Sequence, residues 1–339
     1  MHLRRARPTV RLLREDLNSD WESPHPRRFL QTGELTSLHP LSTLPHPIIA
    51  KAASSFGDNP DNDNYVGPIA SSTDVPLLEI KVGQWRGGVW HDRDLDVCWL
   101  VVAGLAKGDH EDRDDFYQCI ARETDSGDPT RWLPTDEDCW LLKRERAAHL
   151  LIEWELATQQ QVLDALTEVC NGGETRFEIP HPIPKMGRMA TVTIEVAEVR
   201  EDGYEADEIV VTITPEPRHA GSHMFWKINT RVLISLNPPE QGWDRVKYTN
   251  GNIAEPGYWS ERVAELADLV TRKTLAESIP GQVAHYSHTE HIVGSVVKGT
   301  AMRALCGVFF VNTQSPDSLP PCPICTERWN QLPAATTAD

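Results

Sequence analysis

The sequence predicts an α+β fold, with a central mixed sheet and packed helices, a disordered N-terminal arm and a small C-terminal ribbon. Three observations predict it. Strand-like and helix-like patterns come in groups, which favours segregated sheets and helices over a doubly wound parallel sheet. The 339 residues are 40% hydrophobic and 24% charged, an ordinary globular balance with room for two domains. No self-similarity recurs at solenoid or propeller periods. The expected division is an arm over 1–75, an α+β domain over 76–280, a ribbon over 281–332 and a tail over 333–339.

Residues 1–75 are rich in Pro, Ser, Asn and Asp and show little sustained periodicity, the composition of an extended or disordered segment. The arginines Arg4, Arg5, Arg7, Arg11, Arg14, Arg27 and Arg28 reverse the local charge and offer a contact for phosphate or an acidic partner. Asp58-Asn59-Pro60-Asp61-Asn62-Asp63 has the carboxylate density of a calcium loop but lacks its Gly and closing Glu, and reads as a turn.

From Leu77, LLEIKVGQWRGGVW and VCWLVVAGLAKG read as two or three strands broken at Gly87-Gly88 and at the polar turn from His91 to Asp94. FYQCIARE is amphipathic and reads as a short helix. Thr135 and Asp138 form a capping box with an Asp variant ahead of the helical run CWLLKRERAAHLLIEWELA. Thr158 and Gln161 form a second box ahead of VLDALTEVC, and Asn171-Gly172-Gly173 supplies a left-handed stop.

TVTIEVAEV puts Val192, Ile194 and Val196 on one face and pairs with IVVTITPEP as a hairpin. WKINTRVLISL reads as a further strand ending at Pro238-Pro239. Ser260 then opens a helix whose stripe is Val263, Leu266, Leu269 and Val270. Trp85, Trp90, Trp99, Trp132, Trp140 and Trp154, among 11 tryptophans, read as core filling. His219 and His223 read as exposed.

With 33 Lys+Arg against 50 Asp+Glu the net charge is −17, which disfavours a sequence-independent grip on nucleic acid through the average field. No run of about 18 apolar residues exists, so no membrane span is expected, and the basic start lacks an apolar signal core. Seven cysteines, sparse and odd in number, suit free thiols and a metal site better than a disulfide framework, and a cytoplasmic location is expected.

Three of those cysteines fall in the last 34 residues, as Cys306 and Cys322-Pro323-Ile324-Cys325. A CxxC knuckle sets two thiolates side by side, and two more ligands brought across by a hairpin complete the tetrahedron that Zn(2+) accepts. No other cysteine is near, so the fourth ligand is a histidine, with His285, His288 and His291 in competition. A thioredoxin-like redox pair would need a βαβ context and a helix after the second Cys, neither of which the local sequence suggests. The segment from Ala284-His285-Tyr286 through Lys298-Gly299-Thr300, Leu305-Cys306-Gly307 and Pro321-Cys322-Pro323-Ile324-Cys325 resembles a small actinobacterial family of uncharacterised zinc-ribbon proteins. That resemblance covers about fifty residues and implies His285, Cys306, Cys322 and Cys325 as the ligands of Zn(2+). It departs at Phe309-Phe310-Val311, where that family has a Trp-Val strand.

Two catalytic alternatives follow from the sequence. His288-Thr289-Glu290 with Pro321-Cys322-Pro323-Ile324-Cys325 satisfies the H-x-E and P-C-x-x-C signature of zinc-dependent nucleobase deaminases. Against it, Cys306 would be left without a role, and the chain runs only 14 residues past the second Cys. The order of the early sheet resembles the RelE and HigB type of ribosome-associated ribonuclease toxins, with Arg86, His91 and Lys107 as counterparts of their transcript-binding residues. The acidic turn Asp109-His110-Glu111-Asp112 opposes a phosphate site there. No G-x-S-x-G, P-loop, H-E-x-x-H or G-x-G-x-x-G occurs. The expectation is a zinc-binding protein whose ribbon is a structural or interaction module. Partners are unassigned, with protein or nucleic acid open through the ribbon or the Arg-rich arm, and no membrane.

Overall fold

A computed structural model describes residues 4–38, 40–107, 112–126, 128–288, 292 and 300–332. The fold is α+β, and the chain divides into two compact units, Met1–His149 and Leu150–Asp339. The stretch expected to be one domain over 76–280 therefore contributes to both, and it contributes to two five-stranded sheets instead of one.

The first unit contains β1 (Arg7–Pro8), α1 (Val10–Glu15), α2 (His25–Thr32), α3 (Pro47–Ser55), β2 (Gly67–Pro68), β3 (Leu78–Val82), β4 (Trp85–Asp92), β5 (Val97–Leu105) and α4 (Phe116–Ser126). Its sheet has the order β1-β5-β4-β3-β2, with β1 parallel to β5 and the other pairs antiparallel. Strand β5 is apolar on both faces because both are covered. Cys98 and Leu100 join Leu12 and Leu13 of α1 and Ile48, Ile49 and Ala52 of α3. Trp99 and Val101 join Phe116 and Ile120 of α4. Burial pushes the Cys98 thiol up to about 12.

The N-terminal segment is thus not the expected arm. Many of its leucines and isoleucines lie in helices of three to nine residues, too short to establish a periodic stretch, and prolines stand in the first turns of α2 and α3. Of the seven arginines, Arg4, Arg7 and Arg11 are engaged within the unit. Arg4 makes a two-pronged bond to Asp63 at 2.8 and 2.6 Å, which gives the Asp58–Asp63 turn its purpose. Arg7 is buried, 2.9 Å from Glu145 and over the ring of Trp99. Arg11 pairs with Asp16.

Strand β4 runs through Gly87-Gly88 with only a register shift between Gly88 and Val89. A Cβ on Gly87 would lie 2.8 Å from Leu100, and one on Gly88 would lie 2.7 Å from Val102. These glycines are close-approach positions and not breaks.

His46 caps α3. Its Nδ1 accepts the amide of Ile48 at 3.3 Å while its Nε2–H donates to the Ser19 carbonyl at 3.0 Å, a pattern only the neutral ring can make. Burial holds its pKa below the ordinary histidine value, partly opposed by the Ser19 carbonyl, Asp20 and Glu22. The unfolded chain therefore takes up the proton first, so the contribution of His46 is fully present above about pH 6.5 and is lost as pH falls through the lower folded value. Urea midpoints of the first unit should fall between pH 7.5 and 5.5. His46→Asn, which keeps a capping acceptor and does not titrate, should flatten that fall.

Helix α5 (Asp136–Val169) begins at the expected Thr135–Asp138 box, with Asp138 Oδ2 accepting the Thr135 amide at 2.8 Å. No second start exists at Thr158. Its hydroxyl donates to the Trp154 carbonyl at 2.9 Å inside one continuous helix of 34 residues. Gly172 and Gly173, both at positive φ, end it as expected.

The second unit adds β6 (Gly173–Pro180), β7 (Arg188–Glu201), β8 (Tyr204–Pro215), α6 (His223–Leu236), β9 (Asp244–Val246), β10 (Thr249–Ala254) and α7 (Tyr258–Thr271). The sheet order is β6-β7-β8-β10-β9, all antiparallel. Val192, Ile194 and Val196 of β7 and Ile209, Val211 and Ile213 of β8 share a core with Val162 and Leu166 of α5, Ile228 and Val232 of α6 and Leu266 of α7. The segment expected as a strand over 226–236 is α6. Ser222 caps it through the Phe225 amide, and its buried positions Phe225, Ile228, Val232 and Leu236 follow the helical period despite their β-branched content. Helix α7 starts at Tyr258, ahead of the expected Ser260. No described helix is long and apolar enough to cross a membrane.

Candidate metal centre

Three pieces of backbone converge after α7. The hairpin of β11 (Met302–Arg303) and β12 (Phe309–Phe310) carries Cys306 at its turn, where Gly307 adopts φ +97° and its amide reaches the Ala304 carbonyl at 2.9 Å. Helix α8 (Pro323–Gln331) carries the other two thiols. Cys322 is its N-cap residue, and Cys325 lies in its first turn. The strand-like segment of His285 is pinned on both sides. The Cys322 amide donates to the Ala284 carbonyl at 2.8 Å, and the Leu305 amide donates to the Tyr286 carbonyl at 2.7 Å.

The result is a cluster in which the donor atoms of His285, Cys306, Cys322 and Cys325 all lie within 4.8 Å of one another. Nδ1 of His285 is 3.3 Å from Cys306 Sγ and 3.6 Å from Cys325 Sγ. Zn–N near 2.05 Å and Zn–S near 2.3 Å at a tetrahedral angle place such atoms about 3.6 Å apart, so the spacing fits a single zinc-sized ion. Cys322 and Cys325 are buried, Cys306 and His285 half-buried. All seven cysteines of the chain are free thiols.

Burial lowers the pKa of His285, so its ring is neutral and offers a lone pair. Burial alone would raise the Cys325 thiol, but backbone hydrogen bonds from Tyr286 and Cys306 and the neighbouring thiols outweigh it and hold Cys325 below the ordinary cysteine value. Cys306 is pushed up, first by burial and then by the neighbouring sulfurs. Two sulfurs at a helix N-terminus, a third on the hairpin turn and one imidazole nitrogen make up the donor set of a candidate metal site.

Of the competing histidines, His288 is exposed and outside the cluster, while His291, with Glu290, lies outside the described residues. Helix α8 corrects the expectation that no helix follows the knuckle. Pro323 sits in its first turn, where the missing N–H costs nothing. A thioredoxin-like arrangement is still absent among the described residues, because β12 pairs antiparallel with β11 and is two residues long.

The other candidates are placed apart. Arg86 faces Glu79 at 3.8 Å, beside the Tyr117 hydroxyl that donates to the same carboxylate. His91 lies 3.5 Å from Asp96, and Lys107 is 2.7 Å from Asp112. Arg86 and Lys107 are thus each matched by an acid, and His91 lies beside one. His219, expected exposed, is buried against His181, while His223 is exposed. Trp85, Trp99, Trp132 and Trp154 fill cores, whereas Trp140 is exposed and carries the Arg144 guanidinium on its ring.

Residues 280–332 match the model of a family described as a protein of unknown function (DUF3039). No curated protein and no solved structure matches the chain.

Proposed function

We propose that residues 280–332 form a zinc ribbon in which His285, Cys306, Cys322 and Cys325 fill the coordination sphere of one Zn(2+), and that this ribbon is a structural module, not a catalytic one. The observation that carries the reading is the convergence of four donor atoms within 4.8 Å. The module supplies only a small apolar core of its own, since its buried apolar residues among those described are Met302, Ala304, Val311, Cys322 and Cys325. A metal substitutes for core in a piece this small. Three thiolates and one imidazole leave no position for a water nucleophile, which argues against a deaminase. A closed four-donor set of three thiolates and one imidazole is one of the ligand sets of structural zinc.

Metal analysis of the purified chain should return about one zinc per chain. His285→Ala and Cys306→Ala should each lower that content severely, and His288→Ala should leave it unchanged. Retention in His285→Ala with loss in His288→Ala would assign the fourth ligand to the wrong histidine.

A further inference from the structure

Beside the candidate metal centre the second unit contains a cleft of about 350 Å³, large enough for a small organic molecule. Met302, Val308, Phe310 and Leu319 supply much of its apolar lining, and Gln241 and Gln314 supply carboxamides. Not one of its 19 described lining residues is Asp, Glu, Lys or Arg, in a chain that is 24% charged.

The two carboxamides are fixed in place. Gln241 Nε2 donates to Thr313 Oγ1 at 3.1 Å, and Gln314 Nε2 donates to the Gly281 carbonyl at 2.6 Å. A Cβ on Gly281 would lie 2.5 Å from Gln241 Nε2 and 2.9 Å from Gln314 Nε2, so a larger residue there would push both carboxamide ends aside. With one N–H of each amide engaged by Thr313 or Gly281, their Oε1 atoms remain as acceptors for which the described residues supply no donor.

We infer that this cleft binds an uncharged small molecule with an aromatic or aliphatic body and neutral N–H donors, of the primary-amide kind. A charged ligand would give up its hydration for a cleft whose described lining holds no Asp, Glu, Lys or Arg. A neutral amide exchanges its water for the two carboxamide oxygens and buries its apolar body against Met302, Val308 and Phe310. The inference does not depend on which metal the module holds.

Benzamide, benzoate and benzylammonium differ mainly in charge and serve as probes, titrated against the full chain as purified by saturation-transfer NMR. Benzamide should bind saturably and at least tenfold more tightly than either charged isostere. Val308→Glu, at a half-exposed lining position, should weaken benzamide at least fivefold, and Val308→Thr should stay within twofold of the parent. Metal content is measured on each sample, and if V308E loses metal, Thr313→Glu takes its place. Absence of saturable benzamide binding, equal binding of the charged probes, or indifference to the introduced carboxylate would overturn the inference. A parent chain without zinc would defeat the metal proposal alone, since the benzamide titration is still read on that chain.

Discussion

Cys325→Ser is expected to reduce the zinc content of the chain from about one to below a tenth and to unfold its terminal module while both larger cores persist. Cys325 is fully buried and lies in the first turn of α8, 3.6 Å from the His285 ring nitrogen. A serine hydroxyl stays protonated at neutral pH and is a poor partner for an ion already bound by two thiolates and an imidazole. Structural zinc sites in small peptides bind with apparent free energies on the order of 10–16 kcal/mol, and that energy is folding energy. The module has little to replace it, because two of its five buried apolar residues among those described, Met302, Ala304, Val311, Cys322 and Cys325, are cysteines of the cluster. Hydrogen exchange should therefore become fast across 300–332, and limited proteolysis should cut there first. Peptides from the sheet cores around Ile194 and Leu100 should keep their protection. Chelation of the parent chain should reproduce this pattern. Retained zinc, or unchanged exchange over 300–332, would mean that the cluster does not hold the module together.

Much of this centre is legible in the sequence because a knuckle is local. The spacing of Cys322 and Cys325 brings two sulfurs together whatever the rest of the chain does. The histidine is a different matter. His285, His288 and His291 recur at equal spacing, and what selects His285 is a non-local pairing of Ala284 with Pro321 that no periodicity announces. Helix α8 was hidden for the opposite reason: a proline after the first cysteine looks like a breaker, yet at the first helical turn it is a start. Composition misled most at the N-terminus, where prolines and serines delimit short helices whose apolar faces are buried by strands 40 to 90 residues further on. The β-branched content of 226–236 resembles a strand, yet Phe225, Ile228, Val232 and Leu236 recur at the helical period and bury one face of α6.

Asp138→Ala should be the most damaging single change in the first unit, for a reason that follows from how its N-terminal segment is held. The carboxylate is 1% exposed. Its Oδ1 accepts the Val10 amide at 2.7 Å, and its Oδ2 accepts the Thr135 amide and hydroxyl, each at 2.8 Å. One side chain therefore closes the N-terminus of α5 and also satisfies the first amide of α1, 128 residues away. It also lends negative charge to the buried Arg7 guanidinium, whose pKa burial lowers and nearby carboxylates, Glu145 foremost, support. Alanine would strand two backbone donors in a dry site and remove a favourable charge from a helix N-terminus. Hydrogen bonds to a buried charge contribute about 1.5–3 kcal/mol each, so a loss of about 3–5 kcal/mol is expected. For a unit of this size that lowers its melting temperature by roughly 10 °C. Asp138→Asn should recover only part of the loss, because a carboxamide presents an acceptor to one of the two amides and an N–H to the other. The local readout is exchange of the Val10 amide and of residues 4–16, which should approach the unprotected rate while zinc content stays at the parent value. A cost below about 1 kcal/mol with residues 4–16 still protected would show that the buried leucines of α1 hold the segment without this carboxylate.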